Sequence, residues 1–275
     1  MVILCLAILS AAGCTVIRQE SQTVAPGRYT DLKLKDVTPV IPEMQEYDVV
    51  IKKQVLHPIE NKVMLTEAVR ATYRVLDNDS VAWYNVGLAK IADLRQAPVD
   101  VTAWPEFDGW SYKTKNAGFL KAEVYENLPP RKREWARMLS ADAAGLHEVG
   151  WYILDSLEFQ RDFFPALMND FDIALEGSYT FASTYLKYTW SGFTRHNGEW
   201  CAVVKFESLF NPAEIAHAGQ TVMKGRSMYY GEWWVSLEDK QIEYSEMVED
   251  VIFHEYHPEI RLFDMQRIVT FNKVK

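Results

Sequence analysis

The most constraining feature of the sequence is a series of long segments in its C-terminal third, where aromatic and β-branched residues alternate with other residues. Alternation with a period of two is typical of a strand with one buried face. The first such segment follows Asn197-Gly198, a pair that favours a type I′ turn because both central residues of that turn need positive φ. We therefore predict a hairpin there, with one face formed by Trp200, Ala202, Val204 and Phe206.

The segments that follow predict three more strands, at residues 222–236, 241–256 and 261–273. The turns between them are expected at Glu238-Asp239-Lys240 and at His257-Pro258-Glu259. Strands joined by such short turns pair in an antiparallel meander. We expect one buried face that includes Trp233, Val235 and Leu237, and an opposite face whose Glu and Lys side chains meet water.

A helical segment is predicted near residues 131–162, directly after Pro129-Pro130. Apolar residues recur there at spacings of three and four, which is the pattern of an amphipathic helix. They are Trp135, Leu139, Ala143, Leu146, Val149, Ile153 and Leu157. Two glycines weaken the helix and Ser140 is suited to capping a second one, so a break near residue 140 is left open.

Residues 63–95 fit both a helical and a strand pattern. Their β-branched and aromatic residues, and the polar turn at Asp77-Asn78-Asp79-Ser80, favour a hairpin over a helix. Residues 111–126 predict another hairpin, which turns at Asn116-Ala117-Gly118.

These elements predict an α+β fold that is mainly antiparallel β, with a long curved meander sheet packed against the helical segment. The composition, 48% hydrophobic and 24% charged, is ordinary for a globular protein with a sizeable core. No proline-rich or low-complexity linker divides residues 47–275. We therefore expect a single β-rich domain over that range.

The N-terminus has a different character. Residues 1–9 form an unbroken apolar run that is too short to span a bilayer, which takes about 20 residues. Small residues follow it, and the segment Ala11-Ala12-Gly13-Cys14 resembles the lipobox of bacterial lipoproteins. The resemblance covers residues 1–14 only. Ala11 stands where the lipobox pattern prefers Leu, and no basic residue follows Met1.

The resemblance implies that residues 1–13 are a signal peptide and that Cys14 carries fatty acyl chains such as palmitate. The chain would then be held at a membrane of the bacterial cell envelope by this lipid anchor, with residues 14–46 as a polar, proline-broken tether. Thr15 stands where an Asp would retain a lipoprotein at the inner membrane, so the resemblance slightly favours the outer membrane. Ordinary secretion and a buried N-terminal strand are the alternatives.

Several kinds of chemistry are disfavoured by the sequence. A formal charge of −9 argues against nucleic acid as a partner, because nucleic-acid affinity comes mainly from Lys and Arg. No nucleotide, acyl-transfer or paired-cysteine motif is present, so we expect no cofactor and name no catalytic residue. His254 and His257 are three residues apart, which places them on opposite faces of a strand, and we expect no metal there. Cys201 is expected to be a lone buried thiol.

Aromatic residues are the remaining candidates for function. Adjacent aromatics in a strand face opposite ways, so Trp233 is expected in the core and Trp234 on the surface. Ordinary packing is the alternative reading of this aromatic excess. We name four residues as candidate contacts for a hydrophobic ligand or an envelope partner protein: Tyr230, Trp234, Trp104 and Trp110.

The expected function is that of a non-enzymatic, lipid-anchored envelope protein that binds such a ligand or partner. If the protein carries a hydrophobic ligand, we expect a cavity between the helix and the sheet, lined by Trp135, Leu146 and Ile153. One alternative is an envelope glycan hydrolase, which needs two carboxyl groups about 5 to 10 Å apart across a cleft. Its candidate acids are Glu243, Glu246, Glu249 and Asp250. A structural scaffold lipoprotein is the other alternative.

Overall fold

The computed structural model describes the greater part of the chain from Gly27 onward. The described residues are 27–29, 32–40, 44–57, 59–60, 62–77, 79–147, 151–165, 171–173, 178–181, 185–217, 220–256 and 260–274. The expected signal peptide, Cys14 and the turn at residues 257–259 lie outside them. Within the expected tether, Tyr29 and Leu34 are buried in the core, and the ring of Tyr29 lies 6.1 Å from that of Trp200. The folded part of the chain therefore includes residues upstream of residue 47.

The fold is dominated by one antiparallel sheet. Its strands within the described residues are β1 (Gln45–His57), β2 (Lys62–Asp77), β3 (Ser80–Lys90), β4 (Thr102–Ala103), β5 (Trp110–Lys113), β6 (Asp162–Phe163), β7 (Phe171–Ile173), β8 (Ser178–Phe181), β9 (Lys187–His196), β10 (Glu199–His217), β11 (Gln220–Ser236), β12 (Ile242–Tyr256) and β13 (Ile260–Lys273). The order along the sheet is β4-β3-β2-β1-β13-β12-β11-β10-β8-β7, with β5 beside β3 and β9 between β10 and β6. The mainly antiparallel β architecture is thus confirmed.

The C-terminal meander follows from local turn chemistry. Asn197 (φ 51°) and Gly198 (φ 91°) both have positive φ and join β9 to β10, which confirms the predicted hairpin. β11, β12 and β13 match the three predicted strands to within two residues at each end. Because β13 also pairs with β1, the C-terminal meander joins the N-terminal β1-β2-β3 meander in one sheet.

The segment at residues 63–95, which fits both a helical and a strand pattern, is a hairpin rather than a helix, because β2 and β3 pair across the turn at Asp77–Ser80. The hairpin predicted at residues 111–126 is wrong. β5 pairs with β3, and 3₁₀ turns follow it at Lys115–Leu120 and Ala122–Val124. At Gly118 a Cβ would overlap with the carbonyl oxygen of Lys113, so the chain folds back too closely for any other residue.

The helical part consists of α1 (Pro130–Leu146) and α2 (Trp151–Ser156). The break considered near residue 140 is wrong, because Ser140 lies inside α1. Its hydroxyl donates to the carbonyl of Arg137 (3.0 Å) and lies 2.8 Å from the hydroxyl of Tyr125. Among the described residues, no helix is long and apolar enough to cross a bilayer.

The core lies against one face of the sheet, here called the inner face. Alternate residues of the central strands bury there, as the period of two requires. The central inner-face residues include Tyr47, Val49, Tyr73, Trp233, Val235, Val269 and Phe271. The outer face is the opposite one, formed by the intervening residues of the same strands.

Candidate functional site

A groove of about 450 Å³ opens on the outer face where β10, β11 and β12 approach their hairpin ends. Its lining residues are Phe210, Lys224, Gly225, Arg226, Met228, Ile252 and His254. Residues 224, 226 and 228 of β11, and residues 252 and 254 of β12, alternate with buried or partly buried inner-face residues. The groove therefore lies on the face of the sheet that is turned away from the core.

A β-bulge places Phe210 at this groove. The pairing of β10 with β11 shifts between Ser208 and Asn211, and Phe210 within the bulge has φ 61°, a conformation rare for an aromatic residue. The amide of Asn211 donates to the carbonyls of Ser208 (3.3 Å) and Ser227 (3.2 Å), and its oxygen accepts from the Ser208 hydroxyl (2.9 Å). These buried bonds hold the bulge, and they leave the Phe210 side chain 61% exposed.

Gly225 allows β11 and β12 to come together beneath the groove. A Cβ at this position would overlap with the carbonyl oxygen of Ile252 and would lie 2.7 Å from Cδ1 of Phe253. Only glycine fits, since the overlapping atom belongs to the backbone of the neighbouring strand and cannot rotate away.

The polar part of the groove is cationic. Lys224 and His254 are direct neighbours across β11 and β12, and Arg226 is the next outer-face residue along β11. Lys224 forms an exposed ion pair with Glu214 (3.2 Å). Within the described part of the chain, no carboxylate pairs with Arg226. Among the described residues, this guanidinium thus has no carboxylate partner, and it is presented beside apolar side chains in a protein of net charge −9.

Two carboxyl groups lie close to the groove, one on β12 and one on β13. Asp264 lies opposite Ile252, and Asp250 lies opposite Met228. Burial raises the pKa of Asp264, and the charge of Asp250 adds to that rise. Burial also raises the pKa of Asp250. Asp250 lies on β12, the strand that also carries His254, and Asp264 lies on β13; within the described residues neither forms an ion pair with Arg226.

Two of the expected contact residues lie on the same outer face as the groove. Tyr230 follows Met228 at the next outer-face position of β11, about 7 Å further along the strand, and is 42% exposed. Trp234 points outward as expected, but it packs against the ring of Tyr244 (4.4 Å) and donates its indole N–H to Glu232 (2.9 Å). Tyr230 is therefore available to a ligand that extends from the groove. Trp234 is less available, because its ring packs on Tyr244 and its indole N–H is bonded to Glu232.

Trp104 and Trp110 lie elsewhere, in the core. Trp110 stacks at 6.4 Å on Trp83 and donates its indole N–H to the carbonyl of Val124 (2.9 Å). Trp104 packs on Phe107 (5.8 Å), and the ammonium of Lys132 lies 3.4 Å from the centre of its ring. Both tryptophans are buried, which leaves them no surface for a ligand outside the core, and they are not brought together with Tyr230.

The acidic residues of β12 are divided between the two faces. Glu243 and Glu249 are buried on the inner face, so the expectation that such acids face water is wrong for them. The two lie six residues apart on one strand, or about 20 Å, while Glu246 and Asp250 on the outer face are about 13 Å apart. Neither pair has the spacing of about 5 to 10 Å that glycoside hydrolysis needs.

The buried acids are held by basic residues of β13. Glu249 accepts a hydrogen bond from Nε of Arg267, which also pairs with Asp142 of α1 at 2.9 Å. Glu243 binds the ammonium of Lys273. Burial raises the pKa of Glu243, and Lys273 opposes that rise. These ion pairs account for the presence of charge inside the sheet.

One acidic cluster has a spacing that a metal ion could use. Carboxylate oxygens of Glu199, Asp239 and Glu243 lie within 4.8 Å of one another. The ammonium of Lys273 binds Glu243 and lies 4.0 Å from Asp239, so a cation already balances part of this charge. This arrangement is that of an ion-pair network with its own basic partner.

The groove residues were not identified from the sequence. Phe210 falls out of phase with the alternating pattern of β10, and Pro212 follows two residues later within the strand. Because proline in a strand marks a bulge or an edge, this pair of irregularities was the available signal. The position of Ile252 and His254 beside Arg226 depends on strand register, which the sequence does not give.

No protein-family model matches the chain, and no curated protein matches it.

Proposed function

We propose that the protein is a lipid-anchored protein of the bacterial envelope, without enzymatic activity, that binds a hydrophobic ligand in the outer-face groove. The observation that carries this proposal is the exposure of Phe210 in one groove with Met228 and Ile252. The groove's volume falls in the range of ligand sites, which is roughly 300 to 1,000 Å³. Covering these side chains with a ligand would gain about 25 cal/mol for each Å² of apolar area removed from water.

The strained bulge supports a functional role for Phe210. A non-glycine residue at positive φ costs on the order of 1 kcal/mol, and such strain is concentrated at ligand-binding and active sites. Here the strain is maintained by buried bonds of Asn211 and serves to expose an aromatic ring.

In this proposal the helical segment packs over the inner face of the curved sheet, which leaves the outer face for the ligand. The support is the Arg267–Asp142 ion pair and the contact between the rings of Tyr47 and His147, whose centres are 4.3 Å apart. Leu146 and Ile153, expected to line a cavity under the helix, belong to the continuous buried cluster. We accordingly propose a ligand site on the opposite face.

The lipid anchor is tested by expressing the full chain and a Cys14→Ser variant in a bacterial host. We expect wild-type protein to fractionate with membranes, to incorporate labelled palmitate and to begin at an acylated Cys14 in mass spectra. The variant should lose the label. Wild-type protein that retains Met1 and carries no acyl chain would overturn the anchor.

Ligand binding is tested with N-phenyl-1-naphthylamine, an uncharged probe that fluoresces in apolar sites. The double variant Met228→Gln/Ile252→Gln should weaken probe binding about tenfold or more, since each residue contributes buried apolar area. Val99→Gln is the matched control, because Val99 is also exposed but lies outside the groove. Equal binding by all three proteins would exclude the groove as the site.

A protein partner is the second candidate, and the end of the β1-β2 hairpin favours it. Four large apolar residues are exposed there, namely Ile59, Val63, Met64 and Leu65. Consecutive exposed residues on β2 present apolar side chains on both faces of the hairpin, which is typical of a strand end that another chain covers. Met64→Lys should then abolish a crosslink between the protein and an envelope partner in intact cells, with Val99→Lys as the control.

A further inference from the structure

We propose that the groove selects an amphiphile with an anionic head group. In this inference, which rests on the proposed function, Arg226 binds the head group, and the tail lies along Met228 toward Tyr230. Lys224 adds positive charge at the head-group end, and the ring of His254 offers a hydrogen-bond donor there.

The polarity of the groove changes along the strands in one direction. Nearest the β10-β11 hairpin end lies the neighbouring pair Lys224 and His254, then Arg226 beside Ile252, and then Met228 beside Asp250. Successive outer-face positions are about 7 Å apart, so the basic side chains begin one position before the apolar ones, and the two groups meet where Arg226 stands beside Ile252. A molecule with one charged end and one apolar end fits this order, and its orientation is fixed by it.

Arg226 gives the site its preference for an anion. Its guanidinium is exposed and has no carboxylate partner within the described residues, whereas Lys224 shares its charge with Glu214. A guanidinium binds phosphate or carboxylate oxygens through two parallel hydrogen bonds, which gives geometry as well as attraction. Asp250 lies on β12 beside Met228, at the tail end of the groove, and Asp264 lies on β13 opposite Ile252. Neither acid is a direct cross-strand neighbour of Arg226, whose neighbours are Pro212 and Ile252.

The test uses the full chain with Cys14→Ser and two probes with the same tail, dodecyl phosphate and dodecyl maltoside. Both are titrated calorimetrically below their micelle concentrations, and inorganic phosphate is titrated as the head group alone. We expect the anionic probe to bind about tenfold more tightly than the neutral one, and inorganic phosphate to bind far more weakly than either.

Arg226→Gln should remove the preference and leave dodecyl maltoside binding within about twofold. Lys205→Gln is the matched control, because Lys205 is exposed on the same outer face opposite Glu232, about 20 Å from Arg226 along the sheet. This control should keep the preference. Far-ultraviolet circular dichroism on all variants checks that the sheet is intact.

Each outcome distinguishes the inference from the function on which it rests. Equal affinity for the two dodecyl probes would overturn the anionic preference and leave the hydrophobic site standing. Binding of neither probe would overturn both. A loss in Lys205→Gln as large as that in Arg226→Gln would show general charge attraction, and tight binding of inorganic phosphate alone would show that the tail is not required. Either of these results would overturn the inference.

Discussion

Arg267 on β13 and Asp142 on α1 form a two-pronged ion pair, with Nη1 3.0 Å from Oδ2 and Nη2 2.9 Å from Oδ1. The same guanidinium donates from Nε to Glu249, which also accepts a 2.5 Å hydrogen bond from the Ser227 hydroxyl. Two buried carboxylates thus share one arginine. Burial raises the pKa of Asp142 to about 6, and the attraction of Arg267 reduces but does not cancel this rise.

The raised pKa of Asp142 predicts that acid stabilises this site. The folded state binds the Asp142 proton more tightly than the unfolded state does, so the contribution is complete below about pH 4 and is lost as pH rises through about 6. A shift from 3.8 to about 6 corresponds to a free energy on the order of 3 kcal/mol. Asp142→Asn should lack this dependence, so wild type should gain stability relative to it as pH falls.

Urea unfolding between about pH 4 and pH 7 measures this difference. Asp48→Asn is the control, because Asp48 forms an exposed pair with Arg70 (3.0 Å). Its difference from wild type should show a much smaller change over the same range. A constant difference between wild type and Asp142→Asn would contradict the assignment of the titration to Asp142.

Removing the shared arginine should be far more damaging than removing an exposed one. Arg267→Met leaves Asp142 and Glu249 buried without their cation and should cost about 3 to 5 kcal/mol of unfolding free energy. Arg70→Met breaks an exposed pair with Asp48 and should cost under about 1 kcal/mol. Both values come from urea unfolding at neutral pH. Equal losses would mean that the buried network contributes no more than a surface pair.

Two glycines differ in how closely the neighbouring strand approaches them, and this difference predicts different effects of substitution by Ala. A Cβ at Gly231 would overlap with the carbonyl of Glu246 and lie 2.6 Å from Cζ of Phe206. A Cβ at Gly192 would meet nothing within 4 Å. Gly231→Ala should therefore cost about 1 to 3 kcal/mol, while Gly192→Ala should be neutral or stabilising by under about 1 kcal/mol. Thermal unfolding of the two variants checks the order, and the reverse order would refute it.

The strands could be predicted because their signals are local. Asn197-Gly198 specifies its turn without help from the rest of the chain, and alternation assigns Trp233 to one face and Trp234 to the other. The hairpin predicted at residues 111–126 is wrong because the structure of this segment depends on contacts beyond it. There the hydroxyl of Tyr125 bonds to the carbonyl of Phe119 and contacts Ser140 of α1, fifteen residues away.

The polar interior could not be predicted for the same reason. Alternation shows that Glu243 and Glu249 share a face, but it does not show that the face is buried at those positions. Their burial depends on Lys273, which is 30 residues from Glu243, and on Arg267, which is 18 residues from Glu249. Sequence patterns do not identify such distant partners, so a solvated acidic face was the natural expectation.

The buried thiol of Cys201 gives a prediction about reactivity. Burial raises the pKa of this thiol, and the charges of Glu243 and Glu199 add to the rise. Because the thiolate is the reactive form, the folded Cys5→Ser/Cys14→Ser variant should react with Ellman's reagent at least about 100-fold more slowly than the same variant in guanidinium chloride. Comparable rates in the two conditions would show that Cys201 is accessible in the folded protein.

The backbone at Phe210 predicts that stability and binding change in opposite directions. Phe210→Gly removes an exposed ring and relieves the positive φ, so the variant should gain about 1 kcal/mol in unfolding free energy. The same change removes part of the groove lining and should weaken binding of the dodecyl probes several-fold. Phe164→Gly is the control, since Phe164 is also exposed but has no positive φ. It should lose stability and leave probe binding unchanged. A Phe210→Gly variant that is less stable than wild type would show that the ring packs at the bulge, and the strain would then have no link to ligand binding.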